Sequence, residues 1–531
     1  MAYYKDMREH IAALEANGKL VRIKRKINKD TELMPLVRWQ FRGLPEKERK
    51  AFLFENVVDA KDKKYDMPVL VASHAASRDV YAIGMMCEPD DIMDKWELAQ
   101  LNPIKPRIVN AGPIHENIYI GKSLIDWGGL SHLPVPVSTP GFDNAPYLTC
   151  ANWVSRDPDT GHSNIGIYRA MIKSDTRTGL YCSKGKHLRA HWNKCRERRI
   201  PLQAAIVIGA TPNIGFTGAS KIAYGTEEYA VAGGIAGTPV ELVKCKTVDI
   251  EVPATAEIVV EGNIPTDFLE PEAPFGEYTG YMGNSVMGPY FEVTCITHRN
   301  NPIFNCIISQ FYPSEETLIK SLGNAANWFS FLRNELSIPG VVACAFHESG
   351  GGSAFLVIQM KQGHLASVWQ ALYGAASRCT TWPRVIIAVD DDIDPWDPDS
   401  VNWALSFRMQ PLRDVRFVEG KVFGLDHAGA PPSKTTEERE YPLPNGSSVI
   451  IMNATKKWDY PPVSLPKREF MERARKIWEE EGLPDLFPKQ PWFGRSLGFW
   501  TTEYEEEAQL ALKGEHYKTG EKAIRQRQKL L

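Results

Sequence analysis

The stretch Asn164-Ile-Gly-Ile-Tyr-Arg-Ala-Met-Ile-Lys173 lies in a run of short β-branched or aromatic segments that decides the fold. Thr149–Val154 precedes it. Gln203–Ile208, Thr247–Val252, Glu257–Gly262, Tyr290–His298 and Pro302–Ser309 follow, each bounded by Gly, Pro or Asn turns. This spacing predicts many short strands without long intervening helices, hence an antiparallel barrel or sandwich in the middle third. Before it, residues 4–17 predict an amphipathic helix with Met7, Ile11 and Leu14 on one face, and Val21, Ile23 and Ile27 alternate as a half-buried strand. Pro68–Ser73 predicts a buried strand and Asp90–Leu101 a helix. The connector from His132 to Pro140 carries Pro134, Pro136 and Pro140 and must run extended.

Beyond residue 315 the period changes. Helices over Glu316–Leu336 and Leu365–Arg378 alternate with strands over Gly340–Ala345, Ala354–Met360 and Val385–Val389, the pattern of an α/β unit. Ser464 is expected to cap a helix whose Phe470, Ala474, Ile477 and Trp478 form an apolar stripe. From Thr502 the chain is charged and helix-prone, an arm against a neighbouring subunit or a solvated tail. The class is therefore α+β: an N-terminal α/β domain over 1–125, a central β-barrel over 126–315, a C-terminal α/β domain over 316–490 and a helical arm over 491–531.

With 531 residues, 43% hydrophobic and 24% charged, the chain is neither disordered nor collagen-like. Its 62 Lys+Arg against 65 Asp+Glu leave a net charge of −3, which argues against a nucleic-acid binder. No run approaches about 18 apolar residues, so no membrane span is expected, and the N-terminus lacks a signal-peptide core. Nine scattered cysteines without a CxxC pair read as reduced core thiols of a cytoplasmic protein.

The chemistry concentrates in two places. Pro271-Glu-Ala-Pro-Phe-Gly-Glu-Tyr-Thr-Gly-Tyr281 sets Glu272 and Glu277 around a Pro–Phe–Gly turn, where one acid can hold a proton while the other stays a base. His162-Ser-Asn-Ile-Gly-Ile-Tyr-Arg169 interrupts an apolar strand with Asn164 and Arg169. Lys186-His-Leu-Arg189 adds an imidazole and Glu228 a carboxylate, a donor set that suits Mn²⁺ or Mg²⁺. In an ideal strand Asn164 and Arg169 point to opposite faces; a bulge or twist would reconcile them, or they serve different ends of a long cofactor. Asp390–Asp394 reads as a turn before a capped helix. Ser349–Ser353 reads as a flexible turn, and His162 reads equally as a loop residue or a functional one.

These motifs resemble the UbiD-type decarboxylases that use prenylated FMN. The resemblance rests on Asn164-x4-Arg169, Lys186-His-Leu-Arg189, Glu228 before Glu241-Leu-Val-Lys-Cys245, Glu272-Ala-Pro-Phe-Gly-Glu277 and Gly280-Tyr281 in the family's order. Val252–Gly262, Asp390–Pro395, Trp403–Leu405 and Asn453–Trp458 extend it over roughly residues 1–490. It implies that the central barrel is a flavin-binding split β-barrel, and that Arg169, Glu272 and Glu277 form the catalytic trio. It implies that Asn164, His187 and Glu228 hold a divalent metal ion such as Mn²⁺, with K⁺ nearby, anchoring the flavin phosphate, and that Ile167, Arg169, Lys186 and Arg189 also contact the cofactor. Some relatives carry Asp where this chain has Glu277. Lys186 stands where some have Gln, and Ala273 replaces a frequent Gly.

The activity implied is reversible, non-oxidative decarboxylation of an aromatic or heteroaromatic acid through a covalent cofactor adduct, with Glu277 protonating the carbon. An aromatic acyl-CoA bearing a ring carboxylate is the runner-up within this chemistry. A flavin-dependent oxidoreductase is the alternative from another class, although no Gly-x-Gly-x-x-Gly fingerprint supports it, and a non-enzymatic scaffold is a third reading. A UbiX-type flavin prenyltransferase is implied as cofactor supplier, and a homodimer or hexamer as the assembly.

Overall fold

The strand Ser163–Ile167 forms one end of a large antiparallel sheet, and Ala170–Ser174, two residues later in the chain, lies near the other. The order between them is Ser163–Ile167, Asn152–Arg156, Leu202–Ile208, Ile258–Ile264, Tyr290–His298, Arg177–Gly179, Ala170–Ser174, with Tyr147–Leu148 last and Asn117–Ile120 pairing with Tyr290–His298. Six strand spacings in a flat sheet span about 29 Å. Three Cα–Cα steps, from Ile167 to Ala170, reach at most about 11 Å. The sheet must therefore curl until its ends approach, and Tyr168 and Arg169 form the seam. Trp153 fastens that seam: its Nε1 donates to the Tyr168 carbonyl at 2.9 Å.

The structure is a computed structural model that describes residues 2–183, 185–220, 222, 226–361, 363–421, 425, 427–428 and 447–528. It is a mixed α+β protein. An N-terminal sheet joins Leu20–Ile23, Ala51–Phe54, Val69–Val71 and, from far along the chain, Phe304–Cys306. The helix Met7–Ala16 packs on it through Met7 and Ile11, which meet Leu53 and Leu70. A five-stranded mixed sheet near the C-terminus runs Val341–Phe346, Phe355–Met360, Val385–Asp390, Ser447–Ala454, Val415–Lys421. The helices Glu315–Ser330 and Leu365–Ser377 bury Trp328, Val368 and Leu372 in its core.

Several expectations change. Asn164–Lys173 is two strands broken at the seam. The middle third also holds helices, His187–Glu197, Pro212–Ala219 and Glu228–Ala236. The last is apolar nearly all round and buried, so it shows no amphipathic period to read. Of Thr247–Val252, only Glu251 and Val252 pair, within the strand Glu251–Pro253. The backbone N–H groups of Lys246 and Thr247 donate instead to the buried Glu261 carboxylate, at 2.7–2.9 Å. The helix expected after Ser464 begins at Arg468, and Ser464 does not cap it. The turn expected after Asp390 leads to the helix Pro398–Arg408, but that helix has no side-chain cap, and Asp390 and Asp392 bind the buried Arg408. All nine cysteines are free thiols, and among the described residues no helix is long and apolar enough to cross a membrane.

Candidate functional site

The seam delivers Arg169 to a two-stranded hairpin, Glu270–Glu272 paired with Val286–Gly288, whose connecting loop carries Glu277. The loop is pinned by backbone bonds from Gly283 N to Phe275 O at 2.8 Å and from Glu277 N to Tyr281 O at 2.9 Å. Asn144, just past the Pro-rich connector, donates its Nδ2 to Ala273 O at 3.0 Å.

Arg169 offers its fork to Glu272: Nε donates to Oε1 at 3.1 Å and Nη2 to Oε2 at 2.6 Å. Its remaining Nη1 contacts Glu277 Oε1. Two aromatic rings lie against the guanidinium, with the Tyr181 centroid 4.5 Å from its carbon and that of Phe275 at 5.3 Å; Tyr147 packs on Phe275 at 4.4 Å between ring centroids. Glu272 is fully buried and Glu277 nearly so. Burial alone would lower the Arg169 pKa, but Glu277 and Glu272 outweigh it and hold the guanidinium charged. Burial pushes the Glu277 carboxyl up to about 7; Arg169 and Lys320 pull against this, and Glu316 and Glu272 add to it. Glu277 is thus poised to exchange a proton near neutrality.

The second cluster starts on the edge strand. Asn164, register partner of Ser155, turns its Oδ1 to within 2.9 Å of His187 Nδ1, at the first position of the helix His187–Glu197. Glu228, first in the helix Glu228–Ala236, reaches back so that its carboxylate accepts from Ile165 N at 3.1 Å. Asn164, His187 and Glu228 line one cleft with His162, Ser163, His191, Thr226 and Glu227. Burial pushes the Glu228 carboxyl up to about 7, a cost that a bound cation would remove. The Asn164 Nδ2 is buried without a hydrogen-bond partner among the described residues, a donor suited to an anionic oxygen.

The structure therefore brings Arg169, Glu272 and Glu277 into direct contact and sets Asn164, His187 and Glu228 around one cleft. The orientation conflict between Asn164 and Arg169 disappears because the strand ends at Ile167, before the arginine. Ile167 is half-buried at that strand end. Lys186 is exposed just before its helix, and Arg189 lies one turn on, its guanidinium 4.6 Å from the Trp192 ring. His162, open in sequence to a loop or a functional reading, lines the cleft. Tyr147, Tyr181 and Asn144 belong to the first cluster but carry no sequence motif.

Family models of the 3-octaprenyl-4-hydroxybenzoate carboxy-lyase match in three consecutive pieces: the N-terminal domain over residues 11–99, the Rift-related domain over 107–310 and the C-terminal domain over 317–452. An uncharacterized protein of Aquifex aeolicus (strain VF5) is 29% identical over 511 residues, 90% of this chain and 99% of that one. Among solved structures, an evolved dimeric form of the UbiD-class enzyme HmfF from Pelotomaculum thermopropionicum, in complex with prFMN, superposes with a TM-score of 0.75 at 28% identity. That alignment covers 89% of this chain and 100% of the other. The apo 3,4-dihydroxybenzoic acid decarboxylase AroY of Klebsiella pneumoniae gives a TM-score of 0.72 at 25% identity, over 86% and 95% of the two chains.

Proposed function

This chain belongs to the UbiD family of carboxy-lyases, and on that premise we propose that it reversibly decarboxylates an aromatic or heteroaromatic acid, with prenylated FMN as cofactor and Glu277 as proton donor to the carbon that loses CO₂. The observation that carries this reading is the Arg169–Glu272–Glu277 contact, in which one buried carboxyl rests near neutrality. The similarity to HmfF bound to prFMN, and to a dihydroxybenzoate decarboxylase, supports the cofactor and substrate class.

When bound, prenylated FMN supplies the electron sink that protein side chains lack when a carboxylate leaves an sp² carbon. Asn164, His187 and Glu228 offer amide oxygen, imidazole and carboxylate to a divalent ion such as Mn²⁺, and the Asn164 amide N–H fits a phosphate oxygen. K⁺ is the second ion of this proposal. Ile167, Lys186 and Arg189 are the further cofactor contacts of this proposal. Arg169 holds Glu272 in a bidentate grip and orients Glu277 through its third nitrogen. Glu277, protonated near pH 7, delivers its proton to the carbon and recovers it from solvent; in the reverse direction the same carboxylate takes the proton. Tyr181, Phe275 and Tyr147 hold the guanidinium in place. A UbiX-type prenyltransferase supplies the cofactor, and the protein works as a homo-oligomer.

The test is co-expression with a UbiX-type flavin prenyltransferase, followed by an absorbance spectrum and CO₂ release from a panel of aromatic acids. A flavin-derived band with CO₂ evolution supports the proposal. A reaction that requires nicotinamide or another reductant overturns it.

A further inference from the structure

Tyr278, the residue after Glu277 in the hairpin loop, sends its side chain into the C-terminal α/β unit. The Tyr278 ring lies beneath Lys320 of the helix Glu315–Ser330, with the ammonium nitrogen 3.3 Å from the ring centroid. Its hydroxyl accepts from Trp382 Nε1 at 2.9 Å, on the segment that leads into the strand Val385–Asp390. Gly351 closes the third side, and a Cβ there would meet Tyr278 Cδ2 at 2.8 Å and its carbonyl oxygen at 2.9 Å. Lys320 is in turn paired with Glu316 at 2.5 Å, one turn earlier on the helix.

Three contacts from one structural unit thus grip the side chain beside the proposed proton donor. We propose that Tyr278 is a positioning residue: clamped by Lys320, Trp382 and Gly351, it docks the C-terminal α/β unit on the hairpin loop, holds Glu277 against Arg169 and keeps Lys320 and Glu316 within electrostatic reach of it. This rests on the assignment of Glu277 as the acid. The charged groups that face Glu277 are Arg169 from the seam, Glu272 from the hairpin, and Glu316 and Lys320 from the helix. Asp143 and Tyr147 act on Arg169 from the connector side. Lys320 favours the ionised carboxylate and Glu316 the protonated acid, so removing one or the other moves the proton affinity of Glu277 in opposite directions.

The experiment compares Lys320→Met, Glu316→Gln, Tyr278→Phe and Tyr278→Leu in cofactor-loaded enzyme, with Glu277→Gln alongside. About one unit above the wild-type alkaline midpoint, kcat rises about threefold in Lys320→Met and falls about threefold in Glu316→Gln, the result of opposite shifts of roughly half a unit. Tyr278→Leu lowers kcat with KM unchanged, and in its background Lys320→Met no longer moves the profile. Tyr278→Phe, which keeps the ring under Lys320, retains most activity. An infrared titration of the carboxyl band lost in Glu277→Gln, run without cofactor, reads the same shifts independently of turnover. An inactive Glu277→Gln beside charge variants whose pH profiles and infrared titrations match wild type overturns the positioning role alone. A fully active Glu277→Gln overturns the acid assignment, and the infrared titration still decides whether Lys320 and Glu316 act on Glu277.

Discussion

Arg169 and Arg408 are both buried guanidiniums set between two carboxylates, with 8% and 1% of the side chain exposed, yet the clusters around them have opposite character. Around Arg408 both Asp392 oxygens are bonded, to Nη1 at 2.6 Å and Nη2 at 2.7 Å, while Asp390 takes Nη1 at 2.8 Å and the Lys456 backbone N–H at 2.9 Å. Burial works against the Asp392 charge, but the Arg408 hydrogen bonds and charge outweigh it and hold the carboxyl below its usual range. Around Arg169 the fork goes to Glu272, Glu277 receives a single guanidinium nitrogen, and Glu316 adds like charge. The same three functional groups make an inert ion cluster in one place and a titratable acid in the other. What separates them is how completely each carboxylate is satisfied.

The sharpest way to break this comparison is Glu277→Gln. Turnover in the loaded enzyme is expected to fall by ~10²–10⁴-fold, read as CO₂ release. Asn substitution at Asp392 is expected to leave the substrate panel unchanged. Next in size, Arg408→Met strands two buried aspartates and is expected to cost about 3–5 kcal/mol of stability, read from the urea midpoint.

The pH dependence sharpens the contrast, because its sign differs between the clusters. The Glu277 carboxyl rises from 4.5 to about 7 on folding. Below pH 4.5 it is protonated in both states. As pH rises towards 7 the unfolded chain ionises first, so wild type loses stability relative to Glu277→Gln by about 3 kcal/mol across that window. Asp392, whose folded pKa is lowered, contributes stability above the usual aspartate range and loses it on acidification, so Asp392→Asn diverges from wild type in the opposite direction. Denaturation midpoints from about pH 2 to about pH 8 check both.

The smallest effect concerns the backbone that carries Glu277. Ala273 adopts φ +81°, in the left-handed region that favours glycine. Ala273→Gly is expected to raise stability by under about 1 kcal/mol and leave KM unchanged, measured by thermal unfolding and steady-state kinetics.

Much of this was legible before any coordinates. Strands such as Tyr290–His298 follow from alternating β-branched and aromatic residues, and the two acids flanking a Pro–Phe–Gly turn marked the hairpin loop. The helices Glu228–Ala236 and His187–Glu197 escaped, the first for want of an amphipathic period and the second because its charged residues obscure the buried face of Leu188, His191, Trp192 and Cys195. The turn read over Asp390–Asp394 is present, but Arg408, 18 residues from Asp390, claims Asp390 and Asp392, a pairing that no local pattern announces.

By itself the sequence determined which groups are chemically able to act: two glutamates, an arginine, and an amide, imidazole and carboxylate in a set order, together with a strand-rich centre. Local spacing and side-chain chemistry suffice for that. Only the tertiary structure decided that the central sheet curls so that two residues bridge its ends, which throws Arg169 onto Glu272 and Glu277 from more than a hundred residues away. Only the packing decided that Glu272 takes the fork and Glu277 one nitrogen. Burial and the count of hydrogen bonds, which depend on the whole fold, set whether a carboxylate stays ionised or keeps a proton to give.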